Sequence, residues 1–461
     1  MKVNMTTKTV LTGLSFISAT ALLALPTVDQ ESVTLTQNPR SRLVTVNYVL
    51  TGDPAVVTVD FQTNNVSDGT WTSIGGEKYA GVSGDVNKLV TNVNSTCTIF
   101  WLPTKEDAWP NQRVADGNFR AVLKAWSTNA PPPYMIVDLQ DNPGETRYYP
   151  SAEAIPLGIT NDLYKTTRLA FRLVPAAMVQ YRMGSPSGEI GRIATREPQH
   201  LVTFTTDWYM GVYPVTQGHW SFFSKVKVST ATNNMPETAA FPVESVTWTM
   251  LRGAHYSTNS AGAYYPGRWP DDGHQVDSLS RLYEIRRVTG LPSVDLPTEA
   301  MWEYTCRAGT STATYNGNLT VGSPYTSLDP VLDEIAWYSL NSGGVTHPVG
   351  LKKANPWGFY DMLGNVNEWC LDQYKNTQDS TKGYISSEDV FDPVGFSQTR
   401  AEMKYPCHIL RGGSFDLNGS ACRSACRERF RFGHDSAANG NTGTLYKTAG
   451  FRLCCDAVAL K

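Results

Sequence analysis

The chain has 461 residues, of which 41% are hydrophobic, 11% aromatic and 18% charged. It is too apolar for a disordered polymer and long enough for two or three domains, each with its own core. The 39 basic residues are balanced by 42 acidic ones, with no basic stripe, so a nucleic-acid partner is excluded as the main ligand. The 37 glycines, 27 prolines, 12 tryptophans and 22 tyrosines suit a loop-rich protein anchored by aromatic residues and argue against a helical bundle.

Lys2 and Lys8 precede an uncharged run, Val10 to Leu25, followed by Pro26 and Asp29. This predicts a signal peptide over residues 1–30 and a secreted, periplasmic or cell-surface protein. The alternative is an uncleaved signal anchor, with no other integral membrane segment. In an exported chain, the eight cysteines (Cys97, Cys306, Cys370, Cys407, Cys422, Cys426, Cys454 and Cys455) are expected to form disulfides.

Residues 31–140 read as an all-β domain. Leu43 to Leu50 alternates, placing Val44, Val46, Tyr48 and Leu50 on one face. After a Gly52–Pro54 turn, Val57, Val59 and Phe61 share a face, completing a hairpin. Further strands are expected at 97–102, 119–126 and 134–139, giving an immunoglobulin-like or fibronectin-like sandwich that serves as a spacer or adhesion module. Residues 141–165, which include DNPGETRYYP, read as a linker. From 166 to 461 the pattern is α+β and coil-rich. Strands are expected near 169–174 and 201–204. One helix is expected over 278–288, and another starts behind Thr298 as its N-cap, with Glu303 pairing to Arg307 one turn on. Trp302, Tyr304, Trp357, Tyr360 and Trp369 read as core aromatics.

Seven strings follow one another in this second part: YRMGSP at 181–186, WYMGVYPVT at 208–216, PVESVTW at 242–248, LPTEAMWEYTCRAG at 296–309, NPWGFYDMLGNVNEW at 355–369, LRGGSF at 410–415 and GFRL at 450–453. In this order they resemble the formylglycine-generating enzyme, or sulfatase-modifying factor, family over about residues 170–456. The resemblance implies a C-type-lectin-like fold. It implies a structural Ca²⁺ held by the side chains of Asp361 and Glu368 and the carbonyls of Gly364 and Val366, a ligand set of the oxygen donors that calcium prefers. It also implies a bridge between Cys306 and Cys454, with Cys455 as the fallback.

Enzymes of that family oxidise a substrate cysteine with O₂, using Cu(I) held by two thiolates. Carried over by motif, the first thiolate position is Leu417 and the second is Cys422, with Ser414 matching the family serine. Asn418 stands where a histidine is common, and Asn367 where a tryptophan is usual. One soft ligand does not make a Cu(I) site, so copper is not expected. A shifted loop using Cys422 and Cys426 is the rescue reading. The expectation is therefore a non-catalytic protein that binds a protein or glycan, with an oxidase converting a sulfatase cysteine as the alternative. A third reading places binding on the sandwich. The segment after Phe415 supplies the candidate contacts Arg423, Arg427, Arg429, Phe430, Phe432 and His434, a mixture of arginines and aromatics of the kind that anchors interfaces.

Overall fold

The computed structural model describes residues 25–76, 81–103, 113–114, 117–230, 238–253, 276–374, 390–394, 407–431 and 447–457. It is mostly β, with few helices. The first eight strands are β1 (Thr27–Gln37), β2 (Val44–Thr51), β3 (Ala55–Asn64), β4 (Trp71–Ser73), β5 (Ser83–Gly84), β6 (Lys88–Val90), β7 (Thr96–Trp101) and β8 (Phe119–Ser127). They form two sheets, one in the order β1-β2-β7-β5 and the other β4-β3-β6 with β8 on β3. Their alternating side chains meet in one core: Val44, Val46, Tyr48 and Leu50 face Val57, Val59 and Phe61, as the period of two demands. Phe61 stacks on Trp101 at 4.7 Å between ring centres. The domain starts at Thr27, inside the stretch assigned to the signal peptide, and Val28 already belongs to its core.

The expected boundary at 140 is corrected. Strands β9 (Tyr134–Asp138) and β10 (Thr146–Tyr149), helix α1 (Leu163–Thr166) and β11 (Arg168–Val174) come next. β9 pairs antiparallel with β11, not with the sandwich, and β10 pairs with β9. With β14 (Trp208–Gly211) and β20 (Cys454–Asp456) they make a five-stranded sheet, β10-β9-β11-β14-β20. The stretch read as a linker thus contributes a strand and a helical turn to the second domain.

The remaining strands are β12 (Gln180–Met183), β13 (His200–Thr203), β15 (Asn367–Tyr374), β16 (Val390–Phe391), β17 (Cys407–Arg411), β18 (Glu428–Arg431) and β19 (Ala449–Gly450). β18-β17-β15-β19 form the sheet that carries the candidate site. The other helices are α2 (Gln217–Phe223), α3 (Trp248–Arg252), α4 (Arg281–Thr289), α5 (Glu299–Arg307) and α6 (Pro330–Asp333). α4 is capped by Ser280 and stopped by Gly290 in the left-handed region. α5 starts where Thr298 accepts the Met301 N–H, and all nine of its residues are buried. Its short length is compensated by packing, because a helix this short has little stability of its own. Trp302 and Trp369 lie in the main core as expected, Tyr304 joins them, and Trp357 packs against the edge.

Candidate functional site

The segment from Gly412 to Cys426 leaves β17 and folds back against β15 and α5. Gly413 sits at φ 73°, and a Cβ there would come within 2.7 Å of the Cys422 sulfur, so glycine makes room for the thiol. Cys422 is fully buried. Burial pushes its thiol up to about 12, although backbone N–H groups of Ser414 and Gly364 and the Arg423 charge pull the other way. The protonated thiol is a poor copper ligand and a poor nucleophile. Leu417 is half-buried; its N–H donates to Ser414 O at 3.1 Å and its carbonyl accepts from Ser339 N at 2.9 Å. Asn418 caps a 3₁₀ turn, Gly419–Ala421, accepting the Ser420 N–H at 3.0 Å. Ser414 Oγ and Asn367 Oδ1 are buried with no hydrogen-bond partner among the described residues. Cys426 faces Glu428 while Cys422 faces the Ser414 and Gly364 amides, so the two thiols have separate surroundings.

Two of the expected ligand contacts are corrected. Arg423 is wholly buried and reaches Glu189 at 2.5 Å and Glu197 at 2.9 Å. Arg427 is buried and forks onto Glu299 at 2.5 and 2.6 Å. Both guanidiniums bind the protein's own carboxylates and present nothing to solvent. Arg429 and Phe430 lie on β18, and Phe432 and His434 fall outside the described residues.

These arginines join a larger network that sequence reasoning did not find as a whole. Glu303 pairs with Arg307 at 2.8 Å, as expected, but also with Arg411 at 2.5 Å and with the Gly184 N–H at 2.9 Å. Burial works to raise the Glu303 carboxyl, yet Arg307 and Arg411 outweigh it and hold it below the usual carboxylate range. Arg411 also donates to the Ser424 and Cys426 carbonyls, fastening the returning segment. The only signal for this was Arg411 itself, in the LRGGSF string.

The calcium set does not fit the residues as placed. Glu368 Oε1 accepts from Arg452 at 2.8 Å and Oε2 from Trp302 Nε1 at 2.6 Å, so the carboxylate is already neutralised and its lone pairs engaged. Asp361, at φ 52°, turns its carboxylate to the Gly350 N–H at 2.7 Å and to Asn365 at 3.3 Å. Burial pushes the Asp361 carboxyl up to about 6. Gly364, at φ 76°, approaches the Trp337 backbone so closely that a Cβ would lie 2.4 Å from its carbonyl oxygen. Val366 is core-buried beside Gly450. Among the described residues no three metal-ligating side chains converge.

The Cys306–Cys454 bridge is also corrected. Both are free thiols. Cys306, on α5, points at Ser424 Oγ, 3.5 Å away, whereas Cys454, on β20, points at the Asp295 carbonyl, also 3.5 Å away. Alkylation of the denatured, unreduced protein followed by peptide mass mapping should find both residues labelled; a disulfide-linked peptide pair would contradict this arrangement.

Residues 170–457 match the sulfatase-modifying factor enzyme 1-like domain family. The chaperone protein LppX of Paenibacillus barcinonensis is 30% identical over 248 residues, covering 46% of this chain and 76% of that protein. The formylglycine-generating enzyme of Mycobacterium tuberculosis is 36% identical over 179 residues, covering 36% of this chain and 52% of the enzyme. The mouse enzyme is 29% identical over 165 residues, or 35% of this chain and 39% of the enzyme. Among solved structures, Treponema denticola variable protein 1 aligns with a TM-score of 0.42 at 23% identity, over 63% of this chain and 96% of that one.

Proposed function

The chain belongs to the sulfatase-modifying factor enzyme 1-like family, and from that premise we propose that it is a non-catalytic, exported binding member rather than an oxidase. The observation that carries this is Leu417 in the first thiolate position, with Cys422 left as a buried, protonated thiol. A copper-dependent O₂ step needs two soft ligands, and the remaining residues supply one. The arginine network serves to hold the segment around Cys422 rigid. A polypeptide partner is supported by the LppX relative, which carries the name chaperone and is matched over most of its length. Export is supported by the uncharged run behind Lys2 and Lys8, which apart from Leu25 lies outside the described residues. Among the described residues no helix is long and apolar enough to cross a membrane.

The purified protein, incubated with O₂, a thiol reductant and a Cys-x-Pro-x-Arg peptide, should produce no formylglycine with or without copper. Titration should detect no tight Cu(I) binding. Leu417→Cys should raise copper affinity more than turnover, because Asn367 and Asn418 still depart from the enzyme pattern. Formylglycine made by the unaltered protein would establish the oxidase reading instead.

A further inference from the structure

The five-stranded sheet uses its two faces differently. Met135, Val137, Tyr148, Leu169 and Phe171 point into the main core of the second domain. Their neighbours along the same strands, Ile136, Asp138, Arg147, Tyr149 and Arg168, point the opposite way. Register brings these together, since Arg147 sits opposite Ile136 and Arg168 opposite Asp138. Over this face opens a cavity of about 450 Å³, covered on one side by Gly81–Ser83 of the sandwich. Arg147 ties the two domains across it, donating to the Val82 carbonyl at 3.1 Å. The size lies in the range of small-ligand sites, and a junction between domains is a common location for them.

We propose that this interdomain cavity is a binding site for a neutral saccharide of one or two rings. Both guanidiniums in it are already matched, and the third of its three carboxylates, Asp141, is 63% exposed to solvent. Arg168 pairs with Asp138 at 3.0 Å and approaches Asp141 at 3.6 Å, and Arg147 pairs with Glu145 at 2.7 Å. An anion would have to displace a carboxylate from its arginine, and a cation entering beyond the solvent-exposed Asp141 would have to displace an arginine from Asp138 or Glu145. A neutral polyol displaces neither. Its hydroxyls both donate and accept, matching carboxylate edges and guanidinium N–H groups side by side. Asp138 is also fixed in place, because its other oxygen accepts the backbone N–H groups of Gln140 and Asp141 at 2.9 and 2.8 Å.

An independent observation marks the rim. Leu157 lines the cavity, is 45% exposed, and is held at φ 64°. A bulky residue rarely adopts the left-handed region, and such outliers concentrate at ligand clamps. Here the strained backbone presents an apolar side chain to the opening, where the C–H face of a sugar ring would pack. The site shares no residue with the segment around Cys422, so it stands or falls apart from the non-catalytic reading.

Titration calorimetry on the full chain with cellobiose and with N,N′-diacetylchitobiose tests this, using glutamate and lysine as charged controls. At least one disaccharide should bind with a Kd of about 1 mM or tighter, and the controls should bind more weakly. Leu157→Gly relieves the left-handed backbone and should leave the melting temperature undiminished while weakening the disaccharide about fivefold or more. Arg168→Gln should weaken it likewise. No binding of either disaccharide, tighter binding of a charged control, or an affinity unchanged in both variants would overturn the proposal.

Discussion

Replacing Arg423 by methionine should lower the free energy of unfolding by about 3–5 kcal/mol, the range for breaking a buried ion pair from one side. Arg423 and Glu197 are both wholly inaccessible to solvent, and Glu189 is nearly so. Methionine fills much of the volume but leaves two carboxylates without their cation in a low-dielectric interior, where an unpaired charge is most costly. Arg423 further holds the Gly191 and Ser420 carbonyls at 2.8 Å each, so the loop before β13 and the turn before Cys422 loosen together. Lysine should recover only part of the loss, since a point charge cannot serve two carboxylates and two carbonyls as a planar fork does. Adding Glu189→Gln and Glu197→Gln to the methionine variant should restore most of it, because the buried charges are then removed together. Denaturant unfolding followed by tryptophan fluorescence would measure the series. Were Arg423 a solvent-facing ligand anchor, as its sequence setting suggests, methionine would shift stability by no more than about 0.5 kcal/mol.

That contrast defines what the sequence made legible. Local periodicity carried the inward faces: Val44 to Leu50 and Val57 to Phe61 do meet in one core, but β2 and β3 lie in different sheets and do not pair as the expected hairpin. Within α5, the Thr298 cap and the Glu303–Arg307 pair follow from spacing along a single helix. Partners set by long-range topology were not legible. Nothing near Arg423 announces Glu197, 226 residues away, so an arginine-rich segment reads as surface when it is in fact the inner fastening of a loop. The strand at 134–138 looks the same whichever sheet receives it, and only the register with β11 assigns it to the second domain. Family resemblance located the segments at 410–426 and 361–369 but not their contacts. It placed Cys306 and Cys454 as partners, whereas α5 and β20 point them at Ser424 and Asp295.

Glu368 provides the sharpest test of how the 361–369 turn is held. Glu368→Gln should destabilise the protein by about 3–5 kcal/mol, and a calcium chelator should leave the melting curve of the unaltered protein unchanged. Arg452 is wholly buried and donates to both Glu368 oxygens as well as to the carbonyls of Gly211, Val212 and Tyr360. It therefore joins the turn to the end of β14 and to its own segment just before β20, a role the resemblance assigned to a metal ion. With glutamine in place, the guanidinium retains its carbonyls but loses its counter-charge, and Trp302 exchanges a charged acceptor for a neutral one. A calcium reading predicts a different pattern. An ion bound only to the native state at a hundredfold excess over its Kd adds about 2.7 kcal/mol, so chelation would lower the melting temperature by several degrees. Glu368→Gln would then abolish that sensitivity. In the ion-paired turn there is no such sensitivity to abolish, and the loss in Glu368→Gln is the same with and without chelator. Scanning calorimetry of both proteins, each with calcium and with chelator, separates the two arrangements.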